Sequence, residues 1–238
     1  PPEEVPELVD TACAVIQKGL EHPAIGAAWI HVASAAVHPF KDGNGRASRV
    51  LASLVMYRGG FKLPEFTSLE EWWGRHLSDY YAAFRCLGET FDRTADVTPF
   101  IRAHMEAQLH QARALDVRER VQQRIWTAVE EAVSAAGLEP RVANAVWDAF
   151  FGRSVTPRSY RPLADVSPAT STNDLAAAVA AGLLRPEGKA RSRRYHAGDG
   201  LYARLGAALG VRVDEAGDPS RAVIIGELTR RVASEISK

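Results

Sequence analysis

Cysteine and methionine are scarce in this chain, two of each among 238 residues. Cys13 and Cys86 are too few for a disulfide framework and both fall in helical patterns, which suits a reducing cytosol. No apolar run approaches the roughly 20 residues of a membrane span, and no signal peptide is visible. Net charge is lacking as well, since 29 Lys and Arg balance 29 Asp and Glu, so no global attraction to nucleic acid or membrane arises. What is present, 46% hydrophobic and 24% charged residues, is an ordinary globular composition sufficient for one or two domains. The charge is unevenly placed. Residues 1–136 hold 14 Lys and Arg against 18 Asp and Glu, about −4, so residues 137–238 carry about +4.

One stretch concentrates chemistry: His38-Pro-Phe-Lys-Asp42-Gly43-Asn44-Gly45-Arg46-Ala-Ser-Arg49, followed by the apolar helical run Val50 to Tyr57. It has the layout of a phosphate site. Gly43 and Gly45 permit backbone turns that a side chain would forbid and let N–H groups approach an anion. The helix that follows directs its unpaired N–H groups and positive dipole end to the same place. Arg46 and Arg49, three apart, share a helical face from which two planar forks reach consecutive phosphates. Asp42 suits a hard divalent cation such as magnesium, which takes one or two carboxylates plus phosphate oxygens. His38 is the side chain type whose ordinary pKa lies near neutrality, fit to take a proton from a hydroxyl. Asp42-x-Asn44 also opens like a calcium loop, but Arg46 stands at its fifth position and Ser53 at its twelfth, which excludes that reading.

The run His-Pro-Phe-x-Asp-Gly-Asn-Gly-Arg-x-x-Arg resembles the signature of the Fic-domain family at every defining position. The resemblance extends upstream to His31 and downstream through Tyr80-Tyr81 to Thr98-Pro99-Phe100-Ile101, covering roughly residues 1–136. It implies a small helical bundle that moves AMP from ATP to a Ser, Thr or Tyr hydroxyl of a protein. It also implies His38 as general base, Asp42 as magnesium ligand, and Gly43, Asn44 and Gly45 as the anion cradle. Arg46 and Arg49 would hold the remaining phosphates, with Lys41 in the same nucleotide-binding set. Phe40 would be the apolar anchor of the loop on the bundle. A kinase-type branch carries Ala-Asn-Lys-Arg where this chain has Gly-Asn-Gly-Arg, which favours nucleotidyl transfer. Members that restrain themselves often carry Ser/Thr-x-x-x-Glu-Gly/Asn, its glutamate pairing with the second motif arginine, here Arg49. Thr127-Ala-Val-Glu-Glu131-Ala is the nearest match and ends in Ala. If this chain's protein has such a guard, it is expected upstream of Pro1, along with the strand pair that aligns a target peptide.

The remaining elements follow from periodicity and breakers. Glu4 to Gly19 and Pro23 to Val37 read as helices, the second containing His31, whose default role is a core or supporting histidine. Gly59-Gly60 ends the motif helix. Ser68 reads as the N-cap of a helix to about Leu87, with Glu70 and Glu71 in its first turn and Trp72, Trp73, Tyr80, Tyr81 and Phe84 as bundle core or groove wall. Thr98-Pro99 starts a helix unbroken to Ala136 apart from a soft interruption near Leu115-Asp116. Gly137-Leu-Glu-Pro140 marks the domain boundary.

Beyond it, helices over Arg141 to Phe151, from Thr156-Pro157, and from Val166-Ser167-Pro168 to about Ala181 precede a ribbon of Leu183 to Arg185 and Arg191 to His196. That order resembles a winged helix-turn-helix, expected over residues 137–200, with C-terminal helices over 201–238 around a turn at Asp214 to Pro219. The expected fold class is therefore mainly α, a Fic-type helical bundle followed by a winged helix-turn-helix domain. Residues 141–196 hold 9 Lys and Arg against 4 Asp and Glu. Lys189, Arg191, Arg193 and Arg194 on the wing would meet phosphates, and Thr170, Ser171, Thr172 and Asn173 would open the recognition helix. Protein contact is the alternative for that surface. The amphipathic last helix, with Ile224, Ile225, Leu228, Val232 and Ile236 on one side, would pack back on this domain or pair with a second copy.

The leading expectation is a protein adenylyltransferase using ATP and magnesium on a protein hydroxyl, its own included. Alternatives are the same fold running AMP removal or transfer of another phosphate-containing group, and a DNA-binding regulator that senses nucleotide.

Overall fold

The computed structural model describes residues 2–20, 22–63, 68–189, 192–211 and 220–236. These residues are mainly helical: α1 Val5–Lys18, α2 Pro23–Val37, α3 Asn44–Arg58, α4 Glu70–Arg75, α5 Leu77–Ala83, α6 Thr98–Ala135, α7 Ala143–Phe150, α8 Pro157–Ala164, α9 Pro168–Ala180, α10 Leu201–Ala208 and α11 Arg221–Ile236. Strands β1 Leu184–Glu187 and β2 Arg194–Ala197 pair antiparallel. Among the described residues no helix is long and apolar enough to cross a membrane. The chain divides into two compact units, Pro1–Asp116 and Val117–Lys238. That division falls inside α6, at the soft interruption near Leu115-Asp116, and the helix runs through it to a glycine terminator, Gly137, at φ +67°.

In the first unit, α2 and α3 form a helical hairpin whose connection is the motif loop. Ala24, Ala27 and Ala52 keep the helices close, and with Ile30 and Met56 they form the buried core, with Ala12 and Ile16 of α1 against it. At the far end of the hairpin a Cβ on Gly59 would lie 2.3 Å from Pro23 Cγ, so only glycine lets α3 end against the start of α2. His22 caps α2, its Nδ1 accepting from the Ala24 N–H at 3.1 Å. A second core joins Leu69, Trp73 and Tyr80 to Ala107 of α6, with Trp72, Phe84 and Ala103 packed on it.

The helix expected over Ser68 to Leu87 is instead three pieces: α4, α5 and a 3₁₀ turn over Phe84–Leu87. Ser68 Oγ lies 3.4 Å from the Glu70 N–H and Leu69 holds the cap position. The break is at His76, whose backbone leaves the helical region at φ −124°, ψ 46°. Its Nδ1 lies 2.9 Å from the Trp72 carbonyl and its ring stacks on Trp72 at 3.9 Å, contacts that compete with a continuous helix. Tyr81, expected in the core or groove wall, is exposed, whereas Trp73 and Tyr80 are buried.

The second unit encloses its own core of Val121, Ile125, Val129, Phe150, Tyr160, Leu175, Leu184, Tyr195, Leu205, Ile224, Leu228 and Val232. The last helix thus packs back on this unit, which settles one of the two options left open for it. Thr156 and Ser159 form a reciprocal capping box at α8, and Ser167 Oγ accepts from the Thr170 N–H at α9. Val155 bridges to Tyr195, adding a short third partner to the β1–β2 ribbon. Inside, Arg141 holds Asp174 with two parallel hydrogen bonds of 2.7 and 3.0 Å, and Tyr160 Oη donates to the same carboxylate at 3.0 Å. The Arg141 bonds keep the Asp174 carboxyl below its ordinary range. The turn expected at Asp214 to Pro219 lies outside the described residues.

Candidate active site

His38 caps α2 with φ 51° and ψ 56°, a left-handed conformation usually filled by glycine. A non-glycine residue there costs about 1 to 2 kcal/mol, and such strain persists where the surroundings demand that side chain. The next turn places Gly43, at φ +85°, as the N-cap of α3, so the loop discharges directly into a helix N-terminus. Asp42 Oδ1 accepts from the Gly43 N–H at 2.6 Å, while Asp42 Oδ2 receives Arg46 Nη2 at 3.2 Å. Gly45 lies in the first turn of α3, and a Cβ there would stand 3.4 Å from Arg49 Nη1, as one on Gly43 would from Arg46 Nη2. Lys41, Asp42 and Arg46 are exposed; Arg49 is half-buried.

Two motif residues play parts other than those expected. Phe40 is 55% exposed, so it is not the buried apolar anchor of the loop that was expected. It lines an apolar cavity of about 570 Å³ with Val9, Ile16, Ile30, Leu51 and Leu54. Asn44, 5% exposed, takes the anchoring role: its Oδ1 accepts from the Phe40 N–H at 2.9 Å and its Nδ2 donates to the Phe40 carbonyl at 2.6 Å. The amide thus closes the loop on its own backbone and is committed before any anion arrives. Asn44→Ala leaves both Phe40 groups without that partner, and we expect a stability loss of about 1 to 3 kcal/mol in urea titrations. Asn44→Asp keeps the acceptor and loses the donor, so its midpoint is expected between the two.

Sequence spacing gave no sign of what holds Arg49. Its Nε donates to Glu70 Oε1, and its Nη1 lies 3.4 Å from Tyr80 Oη. Glu70 is 21 positions away and already accounted for as a first-turn helix charge, so no local pattern links it to Arg49. Beside this pair opens a cavity of about 230 Å³ lined by His31, Arg49, Ser68, Glu70, Trp73 and His104. His31 is 1% exposed, in line with its default reading as a core or supporting residue; its Nε2 lies 3.2 Å from Tyr80 Oη. Burial, with the charges of His104 and Arg49 adding to it, holds the His31 imidazole down at about 3, and burial holds His104 at about 4. Glu131, from the nearest match to a guard sequence, is exposed in the second unit.

The residues singled out for nucleic-acid contact are only partly presented for it. Ser171 is fully buried and its Oγ donates to the Pro168 carbonyl at 2.8 Å, because α9 turns that side chain toward the core beside Leu175; it is removed from the set. Thr170 is half-buried, while Thr172 and Asn173 are exposed. On the ribbon Lys189, Arg193 and Arg194 are exposed, Arg194 Nη1 donating to Ser154 Oγ at 3.2 Å; Arg191 lies outside the described residues.

Chemically, the loop of the first unit gathers a helix N-terminus, two guanidiniums, an exposed carboxylate and an imidazole on a left-handed backbone within twelve residues, a set suited to an anion. A lone oxygen-donor side chain at its mouth fits a magnesium ion that brings the rest of its ligands from phosphate and water. Among the described residues no group of three or more His, Cys, Asp or Glu could hold a metal by itself.

Residues 1–56 match the Fic/DOC family. The chain is 40% identical over 67 residues to a Fido domain-containing protein of Dictyostelium discoideum, a match covering 25% of this chain and 47% of that protein. It is 36% identical over 90 residues to protein adenylyltransferase fic-1 of Caenorhabditis elegans, covering 37% of this chain and 16% of the relative. It is also 34% identical over 86 residues to protein adenylyltransferase Fic of Culex quinquefasciatus, covering 36% and 15%. The chain thus spans about half the length of the first of these relatives and about a sixth of the others. These matches support a Fic domain in this chain, placed over its motif.

Proposed function

We propose that this chain is an adenylyltransferase that moves AMP from ATP to a Ser, Thr or Tyr hydroxyl of a protein, itself included. The observation that carries the reading is the loop closed by Asn44 on Phe40, which joins His38, left-handed at φ 51°, to the start of α3. The relatives named adenylyltransferases support the class of group transferred.

In this reading the backbone N–H groups at the start of α3 receive the α-phosphate, and Arg46 and Arg49 receive the β- and γ-phosphates. Asp42 would hold the magnesium ion, whose charge neutralises the polyphosphate when bound. Arg46 exchanges its Asp42 contact, and Arg49 its Glu70 contact, for phosphate oxygens. The target hydroxyl oxygen forms a bond to the α-phosphorus as the bond to the β-bridging oxygen breaks; the hydroxyl proton passes to His38 and pyrophosphate leaves. Positioning and neutralisation of developing charge do most of the work, since phosphoryl-type transfer needs little covalent help from protein. Incubation with ATP labelled at either the α- or the γ-phosphate tests the reading. Protein label from the α position is the expected result; label from γ alone would replace it with a kinase, and label from neither would sink the transfer reading.

For the second unit we propose a winged-helix arrangement that contacts duplex DNA. Its support is the three helices followed by a ribbon that displays Lys189, Arg193 and Arg194, beside Thr172 and Asn173. Affinity for a duplex is expected to fall with salt and to drop in a Lys189→Ala/Arg193→Ala variant; binding indifferent to both would favour a protein-contact surface instead.

A further inference from the structure

We infer that Tyr80 and His31 are positioning residues for Arg49: a relay of hydrogen bonds from the buried imidazole through the phenol fixes the guanidinium beside the anion loop. The inference rests on the reading of Arg49 as a phosphate-binding residue and concerns what makes it one. Arginine only donates, so at 3.4 Å from Nη1 the Tyr80 oxygen is the acceptor. The phenol then has one proton left to give, and His31 Nε2 at 3.2 Å is positioned to receive it. That requires the neutral imidazole to carry its proton on Nδ1. His31 Nδ1 is buried without a partner in either tautomer, and the opposite one would in addition leave the phenol proton without an acceptor on a side chain only 7% exposed, which makes it the costlier arrangement.

Packing makes the relay rigid. The Tyr80 ring meets Phe84 edge-on at 5.2 Å and Trp73 at 5.2 Å, and His31 is enclosed by Phe84, Phe100 and His104 at 6.0, 5.2 and 5.2 Å. Neither side chain can swing to follow a wandering guanidinium, so Arg49 is held to one place. Burial raises the Tyr80 phenol and lowers the His31 imidazole, and both stay neutral across the working pH range. A free arginine carries roughly 2 kcal/mol of rotamer entropy. With Nη1 already tethered by Tyr80, an incoming phosphate has less freedom to remove, and the contact that exchanges is the exposed one with Glu70.

The test is Tyr80→Phe, His31→Leu and His31→Gln in the whole chain, read by steady-state transfer from α-labelled ATP and by nitrogen NMR of the histidine rings. Tyr80→Phe and His31→Leu are expected to raise KM for ATP about tenfold with kcat changed less than threefold, as loss of uniform binding does. His31→Gln, whose amide oxygen can stand in for Nε2, is expected to recover KM to within about threefold of wild type, which a purely structural role would not give. In the wild type the His31 ring should show Nδ1 protonated, a signature that disappears in Tyr80→Phe. A wild-type ring protonated on Nε2, or KM unmoved in Tyr80→Phe, overturns the relay while the active-site reading stands. A ring protonated on Nδ1 in a chain that neither binds nor uses ATP overturns the active-site reading, and the relay's purpose with it.

Discussion

His38→Ala is expected to cut transfer of AMP by about a hundredfold to ten-thousandfold while leaving ATP binding within a few-fold of wild type, because general-base catalysis supplies that much and the phosphate contacts are elsewhere. The backbone adds a second, independent expectation. His38 occupies a left-handed C-cap at φ 51° that glycine adopts without strain. His38→Gly should therefore be as inactive as His38→Ala and at least as stable as wild type. The gain is bounded at about 1 kcal/mol, because glycine also raises the entropy of the unfolded chain. An inactive variant with a higher urea midpoint would show that the chain retains histidine for chemistry at a cost in stability. Retained transfer in either variant would refute the assignment of the base, and a large stability loss in His38→Gly would mean that the side chain is structural.

Acid is expected to unfold the first unit well above the pH at which surface carboxylates titrate. His31 and His104 are buried, with pKa values held at about 3 and about 4. In the unfolded chain both return to about 6.5. Above that pH neither state takes up a proton and stability is unaffected. As pH falls below it, the unfolded chain gains up to two protons that the folded chain refuses, so stability is lost progressively down to about pH 4 for His104 and about pH 3 for His31. Each histidine approaches 1.36 kcal/mol per pH unit, or about 2 to 3 kcal/mol per unit for both. Against a typical total of about 5 to 15 kcal/mol, two units of acidification are severe. Urea titrations of the whole chain at pH 7, 6 and 5 should show this decline, and His104→Leu should reduce the slope by about half. Equal midpoints at pH 7 and pH 5 would mean that the two imidazoles are solvated or already charged in the folded state.

The local elements were legible because their causes are local. Gly43 and Gly59 turn and terminate, Thr156 and Ser167 cap, and apolar periodicity marks α1, α2 and α3; each depends on a few neighbouring residues and their own backbone. The same locality made the motif legible as a loop leading into a helix, since its histidine, carboxylate, glycines and arginines lie within one turn of chain and the first turns of one helix.

The misread positions are those where two structures were locally available or where the facing surface decided the outcome. Residues 68–87 have helical composition throughout, yet stacking of His76 on Trp72 breaks them into pieces. Ser171 suits a helix face as well as a groove, and packing beside Leu175 turned it inward. Asn44 rather than Phe40 closes the loop because an amide can bond both polar groups of a nearby backbone residue.

By itself, then, the sequence determined a mainly helical chain with a glycine-bearing loop leading into a helix N-terminus, since helix periodicity and glycine turns are properties of short segments. Only the tertiary structure decided which carboxylate and which phenol meet Arg49, and that two histidines are buried beside it. Those partners come from α2, α4, α5 and α6, up to dozens of residues apart, and nothing but the packing of helices against one another brings them to one place.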